Sequence, residues 1–163
     1  MTFAENQDEQ NAQLRAVQDA IANEHVSYAA LFEQSNDAVF FIDFNMKHIA
    51  VNESACRIFG YSRDELLKLT MRDLVPPEEQ NSTEQNLDRM LRGEVMPIYV
   101  RSFRHKSGSI FAAEVNVALV RNTHGVPLYV QSVLRDITER RRIEKQEIEL
   151  SAQREKVAIL TQL

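Results

Sequence analysis

Histidine and cysteine are the residue types that could bind a metal ion, and this sequence contains few of them. The four histidines are His25, His48, His105 and His124, and no two have the i, i+4 spacing that places two ligands on one helix face. Cys56 is the single cysteine, so an internal disulfide and a multi-cysteine metal site are excluded. The sequence therefore predicts no metal site.

The sequence also contains no residue pattern typical of nucleophilic catalysis or of phosphate transfer. The glycines Gly60, Gly93, Gly108 and Gly125 stand singly at expected turns, so no glycine-rich loop can bind phosphate. No serine–histidine or cysteine–histidine pair has a local context typical of a catalytic site. The chain is therefore predicted not to be an enzyme by itself.

The basic run Arg140–Arg142 could contact nucleic acid, but glutamates surround it at Glu139, Glu144, Glu147 and Glu149. This arrangement favours a salt-bridged, solvated helix face, and the formal net charge of −5 argues against nucleic acid and anionic membranes as partners. No apolar run approaches the roughly 20 residues of a membrane span, and the acidic N-terminus does not resemble a signal peptide. A soluble cytoplasmic chain is expected.

Residues 1–31 are predicted to form an N-terminal amphipathic helix, because neither glycine nor proline occurs between Gln7 and Leu31. Apolar side chains recur there at heptad-like spacings, at Leu14, Val17, Ile21 and Tyr28. The helix could pack on its own domain, or it could also pair with a second chain.

Residues 32–137 have the mixed pattern of an α+β domain. Short helices separated by Gly60 and Pro76-Pro77 are predicted in the middle of this segment, the last from about Glu78 to Leu91. Five strands are predicted around them, at Ala38–Asp43, His48–Asn52, Met96–His105, Ser109–Arg121 and Pro127–Arg135. This order indicates one antiparallel sheet with short helices on one face. Apolar residues alternate onto both faces of the last two strands, so terminal helices or a second subunit should cover the other face.

Residues 138–163 are predicted to form a long C-terminal helix with a single apolar row at Ile143, Leu150 and Val157. The positions three residues further on are mostly polar, which is typical of a weak parallel coiled coil. The sequence ends without a capping signal, as if it were cut inside a continuing helix.

The junction between the last strand and this helix is the three residues Asp136, Ile137 and Thr138. Asp136 could cap the helix and form a capping box with Glu139, while Ile137 could insert its side chain into the domain. Without a flexible linker, a shift of the strand would pass directly into the helix. The alternative is a well-capped helix with no role in coupling.

The ordered segments together resemble a PAS domain over about Tyr28 to Thr138. The residues that carry the resemblance are SNDAVFFID, NESACRIFGYSRDELLK, MRDLVPPEE, HKSGSIFAAEVNVALVRNTHG and YVQSVLRDITERRRIE. The resemblance implies a five-stranded antiparallel PAS fold and a sensory or dimerising module upstream of a histidine kinase, a cyclase or another effector. It also implies that the Asp136–Thr138 junction starts a signalling helix and that a small-molecule cavity lies between the sheet and the short helices.

The cofactors of PAS subclasses impose requirements that this sequence does not meet. Haem-binding members present a histidine from the helix expected at Glu78–Leu91, where none occurs. Flavin photosensors carry a cysteine on a later helix than Cys56, which is expected to be a packing residue. The expected cavity positions are apolar: Phe40, Ile42, Phe103, Val115, Val117, Leu119 and Leu134. These side chains would either fill the cavity or line a small apolar pocket.

Two functional hypotheses follow. The first is a sensor and dimerisation module that forms a parallel homodimer and relays a signal to an effector in the same full-length chain, a histidine kinase. The second is a receptor module that binds a small apolar metabolite upstream of a cyclase or another effector. A third, a small enzyme, finds no support because the strand alternation places no polar cluster in the cavity.

Overall fold

The computed structural model describes residues 12, 15, 16, 19 and 27–163. The chain divides into two units, Met1–Ser35 and Asn36–Leu163. In the first unit, residues 27–34 are helical (α1), and both Tyr28 and Leu31 are exposed.

The second unit is built on a five-stranded antiparallel sheet. Its strands are β1 (Ala38–Ile42), β2 (His48–Val51), β3 (Tyr99–Arg104), β4 (Ile110–Arg121) and β5 (Pro127–Asp136). They lie in the order β2-β1-β5-β4-β3, so the first and last strands of the domain pair at its centre. The predicted α+β sheet is confirmed.

Short helices follow β2 and cover one face of the sheet. They are α2 (Glu53–Phe59), α3 (Arg63–Lys68), two 3-10 turns (Met71–Leu74 and Pro77–Glu79) and α4 (Gln80–Leu91). The helix expected from Glu78 begins two residues later, because Pro77-Glu78-Glu79 form a separate 3-10 turn. Similarly, β3 begins at Tyr99 rather than Met96, and the intervening Pro97 has no N–H to donate to a strand ladder.

Asn52 connects the first strands to the helical layer. Its side-chain oxygen accepts hydrogen bonds from the Val39 N–H (2.9 Å) and from the Ala55 N–H at the start of α2 (3.0 Å). Its amide group donates to the Asp37 carbonyl (3.0 Å). One fully buried side chain therefore caps α2 and fixes it against β1.

Four phenylalanines dominate the packing between the helices and the sheet. Phe59 of α2 makes edge-to-face contacts with Phe40, Phe103 and Phe111, at ring centroid distances of 5.3 to 5.6 Å. Such aromatic pairs stabilise a core beyond the area that they bury. The inward-facing residues of the alternating strands therefore form one core with α2.

The opposite face of the sheet is only partly covered. Phe41 and Tyr129 pack against each other there, with ring centroids 4.9 Å apart, whereas Val100 and Ala118 are exposed. After β5 the chain continues into the long helix α5 (Thr138–Thr161), which has no buried residue.

Candidate functional site

A small cavity lies between the sheet and α4. Its volume is about 40 Å³, room for roughly three water-sized groups. Its lining residues are Ile42, Met46, Met71, Thr83, Asn86, Leu87, Met90, Tyr99, Arg101, Phe103, Val115, Val117, Val130 and Ser132. The position matches the cavity that the resemblance implied.

Four of the seven expected cavity residues line this space: Ile42, Phe103, Val115 and Val117. Phe40 and Leu134 are not among its lining residues, since both are fully buried in the core. Leu119 lines a separate surface depression near the end of α4. The core thus fills part of the space and leaves a small pocket in the rest.

The sequence analysis missed the polar residues of the cavity, above all Arg101. Its Nη2 donates hydrogen bonds to the Glu79 carbonyl and to the Ser82 hydroxyl (2.8 Å), so it joins β3 to the start of α4. Beside it on β3, the Tyr99 hydroxyl accepts a hydrogen bond from Asn86 of α4 (3.2 Å). Strand alternation could have identified Arg101, because it shares the inward face with Phe103.

Two buried polar atoms at the cavity residues have no hydrogen-bond partner in the described part of the chain. They are Oγ1 of Thr83 and Nε of Arg101, and each residue is 7% exposed. The Arg101 Nε lies 3.4 Å from a carboxylate oxygen of Glu79, which makes an ion pair without an aligned hydrogen bond. Buried polar groups are normally paired, so these two mark a polar site within otherwise apolar walls.

His48 is a buried titratable residue outside the cavity lining. Its Nδ1 lies 2.7 Å from the Leu66 carbonyl oxygen, which only accepts, so Nδ1 carries the proton. Nε2 is buried without a partner, and the ring packs 4.9 Å from the Phe40 ring. Burial lowers the pKa of the His48 imidazole, because the cation would lose its hydration.

The strand-to-helix junction is compact. Ile137 is 1% exposed, and its N–H donates to the Ala112 carbonyl on β4 (3.2 Å). Asp136 accepts hydrogen bonds through Oδ1 from both the N–H (2.9 Å) and the hydroxyl (2.6 Å) of Thr138. Asp136, one residue before the N-cap, thus satisfies the first helical N–H, that of Thr138.

The expected capping box at this junction is not formed. The Glu139 carboxylate bonds to Arg142 on the next turn instead of reaching back to Asp136. This bond also lowers the pKa of Glu139, because it favours the ionised form. The guanidinium is the stronger donor, so it competes successfully with a neutral N–H.

The apolar row of α5 is exposed over its whole length. Ile143, Leu150 and Val157 are 44%, 51% and 61% exposed. Of the residues expected to continue a dimer interface at the N-terminus, Tyr28 is exposed, whereas Leu14, Val17 and Ile21 lie outside the described residues. Among the residues that the structure describes, the row on α5 is therefore an exposed apolar surface without a partner.

Within the described part of the chain, no three histidine, cysteine, aspartate or glutamate side chains are grouped so that they could hold a metal ion. Among the same residues, no helix is both long and apolar enough to cross a membrane. Cys56 is half-buried and packs against the core.

Comparison with known proteins places this fold among signalling proteins. The PAS domain family profile matches residues 36–139. The probable diguanylate cyclase DgcE of Escherichia coli K12 is 28% identical over 132 residues, which cover 80% of this chain and 12% of that protein. The sensor histidine kinase TmoS of Ectopseudomonas mendocina is 28% identical over 127 residues, 77% of this chain and 13% of that protein. The chain thus spans a small part of the length of these relatives.

A solved structure gives the same result. A domain of the sensory box sensor histidine kinase/response regulator from Geobacter sulfurreducens has a TM-score of 0.61 and 26% sequence identity. The match covers 71% of this chain and 96% of that one. With a family match over more than half of its residues and a sheet of the same architecture, this chain belongs to the PAS domain family of sensory modules.

Proposed function

We propose that this chain is a sensory and dimerisation module that relays a signal through α5 to an effector domain of a longer protein, a histidine kinase. The observation that carries the proposal is the direct passage of β5 into α5. Only Ile137 separates Asp136, the end of the strand, from Thr138, the first helical residue. Because Ile137 is buried, it anchors the start of α5 to the sheet.

Two further contacts tie the first turn of α5 to β4. The Ile137 N–H is bonded to Ala112, and the Arg140 guanidinium lies 3.3 Å from the Glu114 carboxylate. The ion pair is partly exposed and contributes little stability, but it adds a side-chain contact between the first turn of α5 and β4. A displacement of β4 or β5 caused by an event in the cavity would therefore change the orientation of α5.

A parallel homodimer would use the exposed row of α5. Residues seven apart occupy equivalent positions on a coiled-coil seam, so Ile143, Leu150 and Val157 of one chain would meet the same residues of the other. The polar residues between them make the pairing weak, which suits a helix whose pairing must change with the signal. The similarity to the sensor histidine kinase TmoS favours a kinase as the effector.

Leu150→Glu tests this interface. A charge buried at the centre of the seam is costly, so the variant is expected to be monomeric by size-exclusion chromatography with light scattering, while the natural chain is dimeric. Ile148→Glu is the matched control, because Ile148 is equally apolar, 71% exposed and off the row. Equal masses for the two variants would contradict the assignment of the seam.

The second candidate function is a receptor module for a small apolar metabolite, upstream of a cyclase or another effector. The cavity under α4 favours this candidate, since its walls are mostly apolar. The similarity to the probable diguanylate cyclase DgcE favours a cyclase as the effector in that case.

A further inference from the structure

The cavity under α4 contains a cationic group that apolar walls do not explain. The Arg101 side chain is 6% exposed and carries a permanent positive charge. Its Nη2 is held by Glu79 and Ser82, but its Nε–H has no acceptor. Because a guanidinium only donates hydrogen bonds, the group that completes this site must be an acceptor.

The Thr83 hydroxyl is the second polar group in the cavity that lacks a hydrogen-bond partner. Thr83 lies on the cavity side of α4, one residue after Ser82, and its hydroxyl is buried. A valine would have nearly the same shape and would avoid the cost of burying an unpaired hydroxyl. The hydroxyl is therefore best explained by a molecule that accepts its hydrogen bond.

The apolar lining residues indicate the chemistry of the other end of that molecule. Met46, Met71 and Met90 line the cavity together with Leu87 and Val130. Methionine side chains are flexible and adapt to small changes in the shape of a ligand. This apolar part of the lining offers no partners to water, which needs two to four polar groups, so an alkyl group suits it better.

We propose that this cavity binds a short-chain monocarboxylate of about two or three carbons, a size set by a volume of roughly three water-sized groups. The carboxylate accepts hydrogen bonds from the Arg101 Nε–H and the Thr83 hydroxyl, and the alkyl group lies among the methionine side chains. This assignment deepens the proposed sensory function, on which its signalling role rests, by naming the ligand class.

Glu79 tunes the site from its outer side. Its carboxylate lies 3.4 Å from Arg101 Nε and is 38% exposed. It therefore compensates part of the charge that would attract an anionic ligand and competes for the same donor. Replacing it with glutamine removes the negative charge but keeps the backbone carbonyl that holds Arg101 in place.

The test is titration calorimetry of the whole chain with sodium propionate, with neutral propionamide as the matched ligand. Propionate is expected to bind at least tenfold more tightly than propionamide, since it alone carries the charge that Arg101 attracts. Thr83→Val should weaken propionate binding about tenfold, because it removes a hydrogen bond to a charged group. Glu79→Gln should strengthen the binding.

Thermal melting of the ligand-free variants separates a binding role from a structural one. Thr83→Val is expected to melt no lower than the natural chain, because it removes an unpaired buried hydroxyl. Thr123→Val, an exposed site in the β4–β5 turn, is the matched control and should change neither melting nor binding.

No heat of binding with propionate, or equal affinities for propionate and propionamide, would overturn the proposal. Weaker binding of propionate by the Glu79→Gln variant than by the natural chain would also overturn it. The mass of the chain in solution is independent of these titrations, so their failure would leave the proposed dimeric relay standing.

Discussion

Asp136 supports the start of α5 although it precedes the N-cap residue Ile137. Its carboxylate accepts hydrogen bonds from the backbone and side chain of Thr138, at 2.9 and 2.6 Å. Without this carboxylate, the Thr138 N–H would depend on water at a point where the preceding residue is buried.

Asp136→Ala is therefore expected to lower the free energy of unfolding by about 1 kcal/mol, as for the loss of a helix cap. Urea denaturation measures this difference. Asp88→Ala, at an exposed position of α4, is the control and should be close to neutral. Equal effects of the two substitutions would show that the Asp136 bonds contribute nothing.

His48 should make the stability of the domain depend on pH. Its pKa in the folded chain is lowered from the usual 6.5 by burial, so the unfolded chain binds the proton more readily. The contribution of His48 to the free energy of unfolding is then fully present above about pH 6.5. It is lost as the pH drops from there towards the lowered pKa of the folded state.

Urea denaturation at about pH 7.5 and about pH 5.5 tests this direction. The loss of stability between the two pH values should be smaller in His48→Gln than in the natural chain. His124→Gln, in the exposed β4–β5 turn, should keep the full loss. If His48→Gln keeps it as well, the imidazole is not the group responsible.

At the residue scale, local patterns predicted some features and missed others for a physical reason. The burial of Ile137 follows from an apolar residue between a strand and a polar helix. The roles of Thr83 and Arg101 depend on the approach of α4 to β3, which joins residues about 20 positions apart in the chain. No local pattern specifies such a contact.

At the element scale, the alternation of apolar residues and the isolated turn glycines placed all five strands within a few residues of their observed bounds. The strand order could not be obtained in the same way. The pairing of β1 with β5 brings Ala38 next to Leu134, and backbone hydrogen bonds between strands leave no mark on the spacing of side chains. The order β2-β1-β5-β4-β3 is therefore a result of the structure alone.

The end of α2 is fixed by a close approach between two elements. Gly60 has φ +79°, and its N–H closes the helix onto the Cys56 carbonyl (2.9 Å). The His105 ring from the β3–β4 turn packs directly over its Cα, so an added Cβ would overlap the ring. The next residue, Lys106, donates its N–H to the Phe59 carbonyl (2.9 Å).

Gly60→Ala should therefore lower the free energy of unfolding by more than the cost of about 1–2 kcal/mol for a non-glycine residue in the left-handed region. Gly93→Ala is the matched control, since Gly93 has φ +93° and a Cβ added there would meet no atom within 4 Å. Chemical denaturation measures the free energy of unfolding of both variants, and the difference between their losses is the part due to the His105 contact.

A double-mutant cycle completes that test. In a His105→Ala background, Gly60→Ala should cost no more than Gly93→Ala, because the overlapping ring is gone. A difference that persists in this background would show that the ring does not require the glycine.

At the scale of the whole molecule, the structure joins a small cavity, a central strand pair and an exposed helix. Val130 and Ser132 of β5 line the cavity, and the same strand ends at the junction with α5. An occupant of the cavity therefore contacts the strand that continues into the helix. This continuity is the structural basis of the relay that we propose.

The most direct test of this relay is the autophosphorylation rate of a chimera in which α5 continues into a histidine kinase domain. Insertion of Gly-Gly between Ile137 and Thr138 breaks the rigid junction, because glycine frees the backbone. The rate should then equal that of the kinase lacking residues 36–137, whereas duplication of one heptad within α5 should keep the rate of the uninterrupted chimera. An unchanged rate after the Gly-Gly insertion would contradict the relay.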